Sequence, residues 1–242
     1  MGTTVVRPSV RGPVNSRYER VFFAGMALVI LALVVVGFWP TYYGAGMVQA
    51  PLPSTMVHVH AVVFSLWIVM FLVQVGLVSA RKVKWHMTLG LVGMGLAALV
   101  VVVAFLASSD SLRRGLAAGH DPRSFYVVMV TDPLMFGVLM LFAYLLRRKP
   151  DAHKRLVLLA TLALIDAGIF RIHLPWLFRQ VVYDDLVVLG LAFLLVAYDF
   201  YSLRRVHPAT RWGLAAGIVV FTARLPLGET ALWHRFASFM AS

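Results

Sequence analysis

The most constraining feature of this chain is one long apolar segment, residues 55–80, with the sequence TMVHVHAVVFSLWIVMFLVQVGLVSA. It contains no Lys, Arg, Asp or Glu, and it exceeds the roughly 20 apolar helical residues that a hydrocarbon core of about 30 Å requires. Arg81, Lys82 and Lys84 follow it directly, as basic residues do where a membrane helix meets the cytoplasmic leaflet. We therefore expect a transmembrane helix that runs from outside to inside.

Composition places the whole chain in a membrane. Of its 242 residues 61% are hydrophobic and 13% are charged, against roughly 25% charged residues in soluble domains. The net charge of +12 would suit nucleic acid, but the basic residues lie between apolar runs on one predicted side, as the positive-inside rule requires. Nucleic-acid binding is therefore not expected. Fifteen of the 22 basic residues lie in predicted inner segments: Arg7, Arg11, Arg17, Arg20, Arg81, Lys82, Lys84, Arg147, Arg148, Lys149, Lys154, Arg155, Arg204, Arg205 and Arg211.

Apolar runs predict an all-α, seven-helix transmembrane bundle with the N-terminus cytoplasmic and the C-terminus outside. A basic cytoplasmic tail, residues 1–20, precedes the transmembrane domain, residues 21–242. Helix 4 is expected to be interrupted at Asp132-Pro133, and Arg224 and Pro226 lie within helix 7. The predicted helices cover residues 21–39, 55–80, 86–107, 125–146, 153–176, 185–203 and 212–232.

Several polar residues lie in the predicted outer halves of these helices or just beyond their outer ends. Ionisable residues inside a membrane usually face the bundle interior or a water-filled cavity. We therefore expect these side chains to converge on a shared site near the outer surface. They are His58, His60, Asp132, Asp166, Arg171, His173, Arg224, Glu229 and His234.

Three interpretations of these residues remain open. In the first, His58, His60 and His173 bind haem b or a transition metal (Fe, Cu or Zn), oriented by Asp132 or Asp166, in a redox or metal-handling protein with an electron-transfer partner. The chain has no cysteine, so only His, carboxylate or Met side chains can hold a metal. In the second, Asp132, Asp166 and Arg224 line an outward-opening pocket of a transporter, channel or ligand-sensing module for a small molecule. In the third, a network such as an Asp166–Arg224 pair only holds helices together.

Three histidines at the predicted inner surface repeat a local pattern. His86, His153 and His207 each accompany basic residues at the entrance to an odd-numbered helix. This repetition is consistent with a duplicated two-helix unit or with independent interface chemistry, and the histidines are secondary candidates for contact with a cofactor or a lipid phosphate. The sequence contains no nucleotide-binding glycine loop, no Ser-His-Asp spacing and no H-E-x-x-H motif, and it identifies no catalytic residue.

Five short motifs are spread along the chain: H-x-H-A-x5-W-x6-Q at 58–74, K-W-H-x-x-L-G at 84–90, A-H-K-R-L at 152–156, H-P-A-T at 207–210 and G-E-T-x-x-W at 228–233. They resemble those of a widespread, uncharacterised bacterial family of small seven-span membrane proteins. The resemblance covers nearly the whole chain and implies a multi-pass protein of the bacterial inner membrane. Separately, the H-x-H of residues 58–60 is similar to haem-ligating helices of membrane haem proteins, although the chain lacks the further histidine motifs of the haem-copper oxidase core.

Overall fold

The computed structural model describes residues 16–116, 120–172 and 181–242, and within these ranges the regular structure is helical, without strands. A π-helical turn, Trp39–Tyr43, and a 3-10 turn, Met47–Gln49, follow the first helix. The α-helices are α1 Ser16–Phe38, α2 Thr55–Ser79, α3 Val83–Arg113, α4 Pro122–Leu145, α5 Pro150–Leu164, α6 Asp166–Ile169, α7 Val181–Leu203, α8 Pro208–Gly228 and α9 Ala231–Ala241.

Five helical stretches of the described chain are long and apolar enough to cross a membrane. They are Arg17–Tyr43, α2, α3, α4 and Val182–Leu203. The pair α8 and α9 makes a sixth if it is counted as one span, although the two helices meet at an angle of 82°. The all-α class is thus confirmed over the described residues, and the length and composition of these helices fit a multi-pass membrane protein with five or six crossings.

The predicted helix over residues 153–176 is not continuous. The structure ends α5 at Leu164 and starts the four-residue α6 at Asp166; residues 173–176 lie outside the described part. Gly168 of α6 packs directly on Gly37 of α1, where an added Cβ on Gly37 would lie 2.1 Å from the Gly168 carbonyl oxygen. This close backbone contact, which no local sequence pattern reveals, accompanies the break.

The last predicted helix, residues 212–232, is instead divided into two. Helix α8 ends at Gly228, where an added Cβ would lie 2.8 Å from the carbonyl oxygen of Ser124. Thr230 then caps α9, because its hydroxyl accepts a hydrogen bond from the Trp233 amide. Helix α9 lies against α3 and α4, and Trp233 Nε1 donates to the Arg123 carbonyl over 2.8 Å.

Helix α4 passes through Pro133 without the predicted interruption. Proline has no amide hydrogen, so Pro133 cannot donate to the carbonyl of Met129 one turn earlier. Ser108 of α3 takes over this role, since its hydroxyl donates to the Met129 carbonyl over 2.9 Å. Ser108 lies beyond the predicted end of the third helix at residue 107, since α3 continues to Arg113.

Helix α5 lies at the centre of the bundle. Nearly all its residues from Ala152 onward are buried, and it packs against α4, α7 and α8. Helix α2 packs against α1 and α3, and Trp67 of α2 meets Phe136 of α4 edge to face, with 5.0 Å between ring centroids. Large apolar side chains such as Leu91 and Val219 face outward, as lipid contact requires.

Candidate functional site

A cluster of one arginine and three aspartates connects four helices of the bundle. The guanidinium of Arg224 on α8 is completely buried. Its Nη1 donates to Asp132 of α4 over 2.7 Å, and its Nη2 donates to Asp166 of α6 over 3.1 Å and also to Asp185 of α7. The Asp166–Arg224 pair that the sequence suggested is therefore present. We call these four residues the Arg224 cluster.

Local structure places each member of the cluster. Asp132 is in the interior of α4, about 15 Å from its first residue Pro122. Asp166 is the first residue of α6, a position created by the break after α5. Arg224 occupies the last full turn of α8, and its guanidinium lies 4.8 Å above the ring of Phe221 one turn earlier, a cation–π contact that further fixes its orientation.

The cluster has a surplus of negative charge. Three carboxylates share one guanidinium, and the fully buried Asp184 lies within electrostatic reach of Asp166 and Arg224. In the described structure neither carboxylate oxygen of Asp184 has a hydrogen-bond partner, and Oδ1 of Asp166 has none either. Uncompensated charge is costly in an apolar interior, so this arrangement favours the uptake of protons or of a cation.

A second buried ion pair, at the end of the bundle that the sequence predicts to be cytoplasmic, is balanced. Arg155 of α5 donates twice to Oδ1 of Asp199 on α7, over 2.6 and 2.8 Å. The other oxygen, Oδ2, accepts hydrogen bonds from the Thr210 hydroxyl and from the His207 amide. With one charge of each sign and partners on both oxygens, this pair has the properties of a structural link.

The two histidines at the start of α2 contact different aromatic neighbours. The ring of His58 lies 6.0 Å from Tyr42, while the ring of His60 stacks on Phe64 with 4.0 Å between centroids. The buried Nδ1 nitrogens of His58 and His60 have no hydrogen-bond partner. Over the described ranges no group of three or more His, Asp or Glu side chains is arranged to hold a metal ion, and His173, the third predicted ligand, lies outside these ranges.

The remaining outer candidates occupy different places. Arg171 lies with its guanidinium 4.7 Å above the Phe38 ring, and it donates to the Ala167 carbonyl. Glu229 is exposed at the bend between α8 and α9, and His234 on α9 is hydrogen-bonded to the Ser124 hydroxyl. His173 lies outside the described residues.

The three histidines predicted at the inner surface have local structural partners. His153 Nδ1 is hydrogen-bonded to the Ala143 carbonyl over 2.9 Å, and its ring lies 6.2 Å from that of His86. His207 caps α8, because its Nδ1 accepts a hydrogen bond from the Ala209 amide. Burial, followed by the nearby charge of Arg155, lowers the pKa of His207, which keeps the ring neutral and leaves Nδ1 free to accept.

Sequence reasoning missed Asp184 and Asp185. The sixth predicted helix begins at residue 185, and neither aspartate is assigned a site role from the sequence. Two adjacent carboxylates bordering an apolar run are nevertheless unusual, and this was the available signal.

In comparisons with known proteins, no protein-family model, no curated sequence and no solved structure matches this chain.

Proposed function

We propose that this chain is a transport or ligand-sensing protein of the bacterial inner membrane that takes up positive charge, as protons or a cation, at the Arg224 cluster. The observation that carries the proposal is the composition of the cluster, in which one guanidinium serves three carboxylates and a fourth, Asp184, has no partner. Neutralising this surplus changes the attraction between α8 and the three helices that hold the aspartates. Binding is thereby coupled to helix packing.

The proposal includes a seven-span topology with a cytoplasmic N-terminus and an outer C-terminus. Support comes from the basic residues gathered in the inner segments. Helices α5 and α6 together extend over Pro150–Ile169, about 30 Å if measured as helix, and thus supply a broken crossing beside the other six. In this topology the Arg224 cluster lies toward the outer side and the Arg155–Asp199 pair toward the inner side.

Solid-supported-membrane electrophysiology tests this function. The purified full-length chain is reconstituted into proteoliposomes and exposed to sudden jumps in pH, in Na⁺ and in methylammonium concentration. Because the cluster lies within the membrane dielectric, uptake of positive charge should give a transient current. The triple variant Asp132→Asn, Asp166→Asn, Asp185→Asn should lose at least 80% of this current.

The control for this experiment is His153→Ala, a change at the other end of the bundle that should leave the current unaltered. A folded wild-type protein that gives no current with any of the three jumps would contradict the proposal. An equal current from the triple variant would place the charge-binding site elsewhere.

A second candidate function, haem or transition-metal binding, is favoured by one observation. His58 and His60 both present buried Nδ1 nitrogens without a hydrogen-bond partner, and neutral imidazole binds Fe, Cu and Zn. An ultraviolet–visible spectrum and elemental analysis of the purified protein test this candidate. A colourless, metal-free preparation that is folded would exclude it, whereas stoichiometric haem or metal lost in His60→Ala would support it.

A further inference from the structure

One face of the short helix α9 packs on the rest of the bundle. The helix has 11 residues and meets α8 at an angle of 82°. At about 100° per residue, Trp233, Ala237 and Met240 fall on the same side of α9. This side packs against Leu112 of α3 and Tyr126 of α4.

The two other faces of α9 are exposed and differ in polarity. Leu232, Phe236 and Phe239 are exposed, and their spacing of four and three residues places them on one face. Arg235 and Ser238 are also exposed and lie about 90° further round the helix. Helix α9 therefore has one protein-facing, one apolar and one polar face. These match the three environments that meet where the edge of a bundle reaches a membrane surface.

The packed face fixes the level of α9 along the bundle. Leu112 is the penultimate residue of α3, and Tyr126 lies in the second turn of α4. Helix α3 has 31 residues and measures about 46 Å, so its ends extend beyond a hydrocarbon core of about 30 Å. The level of α9 therefore corresponds to the boundary between acyl chains and headgroups.

Neither a membrane crossing nor a second copy of the chain explains the exposed apolar face. Helix α8 has 21 residues, about 31 Å, so α9 is not needed to complete the length of that crossing. A stable protein–protein interface takes about 20–30 residues from each partner, whereas the apolar face of α9 consists of three side chains. Lipid acyl chains can cover an apolar face of any size.

We propose that α9 is an interfacial helix that binds a phospholipid leaflet, with Leu232, Phe236 and Phe239 among the acyl chains and Arg235 at the lipid phosphates. The buried apolar area supplies the affinity, and the Arg235 guanidinium adds attraction to the phosphates. In the topology proposed above this is the outer leaflet. The inference does not depend on charge uptake at the Arg224 cluster.

An anchored α9 also restrains one end of the Arg224 cluster. Gly228, the last residue of α8, approaches the Ser124 carbonyl of α4, and His234 of α9 is hydrogen-bonded to the Ser124 hydroxyl. Arg224 lies one turn before Gly228. Lipid binding by α9 therefore holds the segment of α8 that carries Arg224 against α4, which carries Asp132.

Site-directed spin labelling of the full-length protein tests this proposal, and the chain has no native cysteine to remove. Single-cysteine variants are labelled and reconstituted into vesicles of phosphatidylcholine and phosphatidylglycerol. Collisions of the label with oxygen, which concentrates in the acyl region, and with a water-soluble nickel chelate report its depth. The variants are Leu232→Cys, Phe236→Cys and Phe239→Cys on the apolar face, and Arg235→Cys and Ser238→Cys on the polar face.

The two faces should give opposite results. Labels on the apolar face should lie about 5–10 Å into the boundary between headgroups and acyl chains and collide mainly with oxygen. Labels on the polar face should collide mainly with the nickel chelate. The reference is Val102→Cys, an exposed position of α3 about 16 Å before its end, whose label should lie deeper than any label on α9. Each variant must keep the unfolding midpoint of the wild type.

Three results would overturn the proposal. Preferential collisions with nickel at all five positions would place α9 in water. Labels on the apolar face as deep as that of Val102→Cys would make α9 part of a membrane crossing. Spin–spin broadening confined to the apolar face would show that a second copy of the chain covers it.

Discussion

Asp185 and Asp199 are buried aspartates on the same helix, α7, and both face an arginine. Asp199 is the main acidic partner of Arg155, and both of its oxygens accept hydrogen bonds. Asp185 shares Arg224 with Asp132 and Asp166. The same residue type therefore stabilises the fold at one end of the helix and contributes to a charge surplus at the other.

This difference predicts opposite effects of the same isosteric change. Asp199→Asn leaves the buried Arg155 charge with only the exposed Asp151, 3.7 Å away, as an acidic partner, and should cost about 3–5 kcal/mol, a fall of on the order of 10 °C in the unfolding midpoint. Asp185→Asn removes one surplus negative charge and should change stability by less than about 1 kcal/mol, or raise it. Thermal unfolding of the two variants in detergent at pH 7 measures the difference. Equal destabilisation by the two changes would mean that the charges of the Arg224 cluster are balanced in the same way as those of the Arg155–Asp199 pair.

His207 predicts a pH effect on stability. Burial, and then the charge of Arg155, lowers the pKa of His207 in the folded chain, with Asp199 and Asp151 opposing. Protonation of His207 therefore favours the unfolded state. The contribution of the neutral ring to the free energy of unfolding is complete above the unfolded pKa of about 6.5, and it declines as the pH falls from there through the lower pKa of the folded chain. His207→Asn retains a capping acceptor for the Ala209 amide and removes the titration.

The measurement is the difference in unfolding midpoint between wild type and His207→Asn from pH 8 to pH 5. It should be constant above pH 7 and should shift in favour of the variant at lower pH. A difference that does not change with pH would show that protonation of His207 does not affect the free energy of unfolding.

At the scale of helices, the contact between α1 and α6 fixes the position of Asp166. Gly37 and Gly168 allow the two backbones to approach so closely that a Cβ on Gly37 would lie 2.1 Å from the Gly168 carbonyl oxygen. Because Asp166 begins α6, any displacement of this short helix also moves a member of the Arg224 cluster.

Gly37→Ala should therefore destabilise the protein by about 1–3 kcal/mol, as overpacking does, and should also reduce the cation-jump current. The matched control is Gly25→Ala on the same helix, where an added Cβ meets no atom within 4 Å, so that stability should be unchanged or slightly increased through the higher helix propensity of alanine. Thermal unfolding and the current are measured for both variants. Equal behaviour of the two would show that the α1–α6 contact does not determine the site.

At the scale of the whole molecule, the absence of cysteine permits a direct test of the proposed orientation. Ser242 at the C-terminus and Arg148 between α4 and α5 are both exposed. In intact cells, Ser242→Cys should react with a membrane-impermeant maleimide, whereas Arg148→Cys should react only after permeabilisation. The opposite labelling pattern would show that the topology is inverted. Labelling of both cysteine variants in intact cells would contradict the seven-span topology.

The membrane class of the fold and most of its helices were predictable from local sequence. The apolar run of residues 55–80 became α2 within one residue, since the length of an apolar run and its flanking charges decide whether a helix can span a bilayer. Intramembrane charge also identified Asp132, Asp166 and Arg224 as site candidates, because such residues must find partners inside the bundle.

Tertiary contacts decided the rest. The break before Asp166 and the bend after Gly228 accompany close backbone approaches of Gly37 to Gly168 and of Gly228 to Ser124, between segments far apart in the chain. The sequence by itself determined that a membrane-embedded helical bundle carries buried charge, because the hydrophobic length and the placement of ionisable residues are local properties. Only the tertiary structure decided that Arg224 meets three aspartates while Arg155 is balanced by Asp199, because charge balance depends on which helices are neighbours.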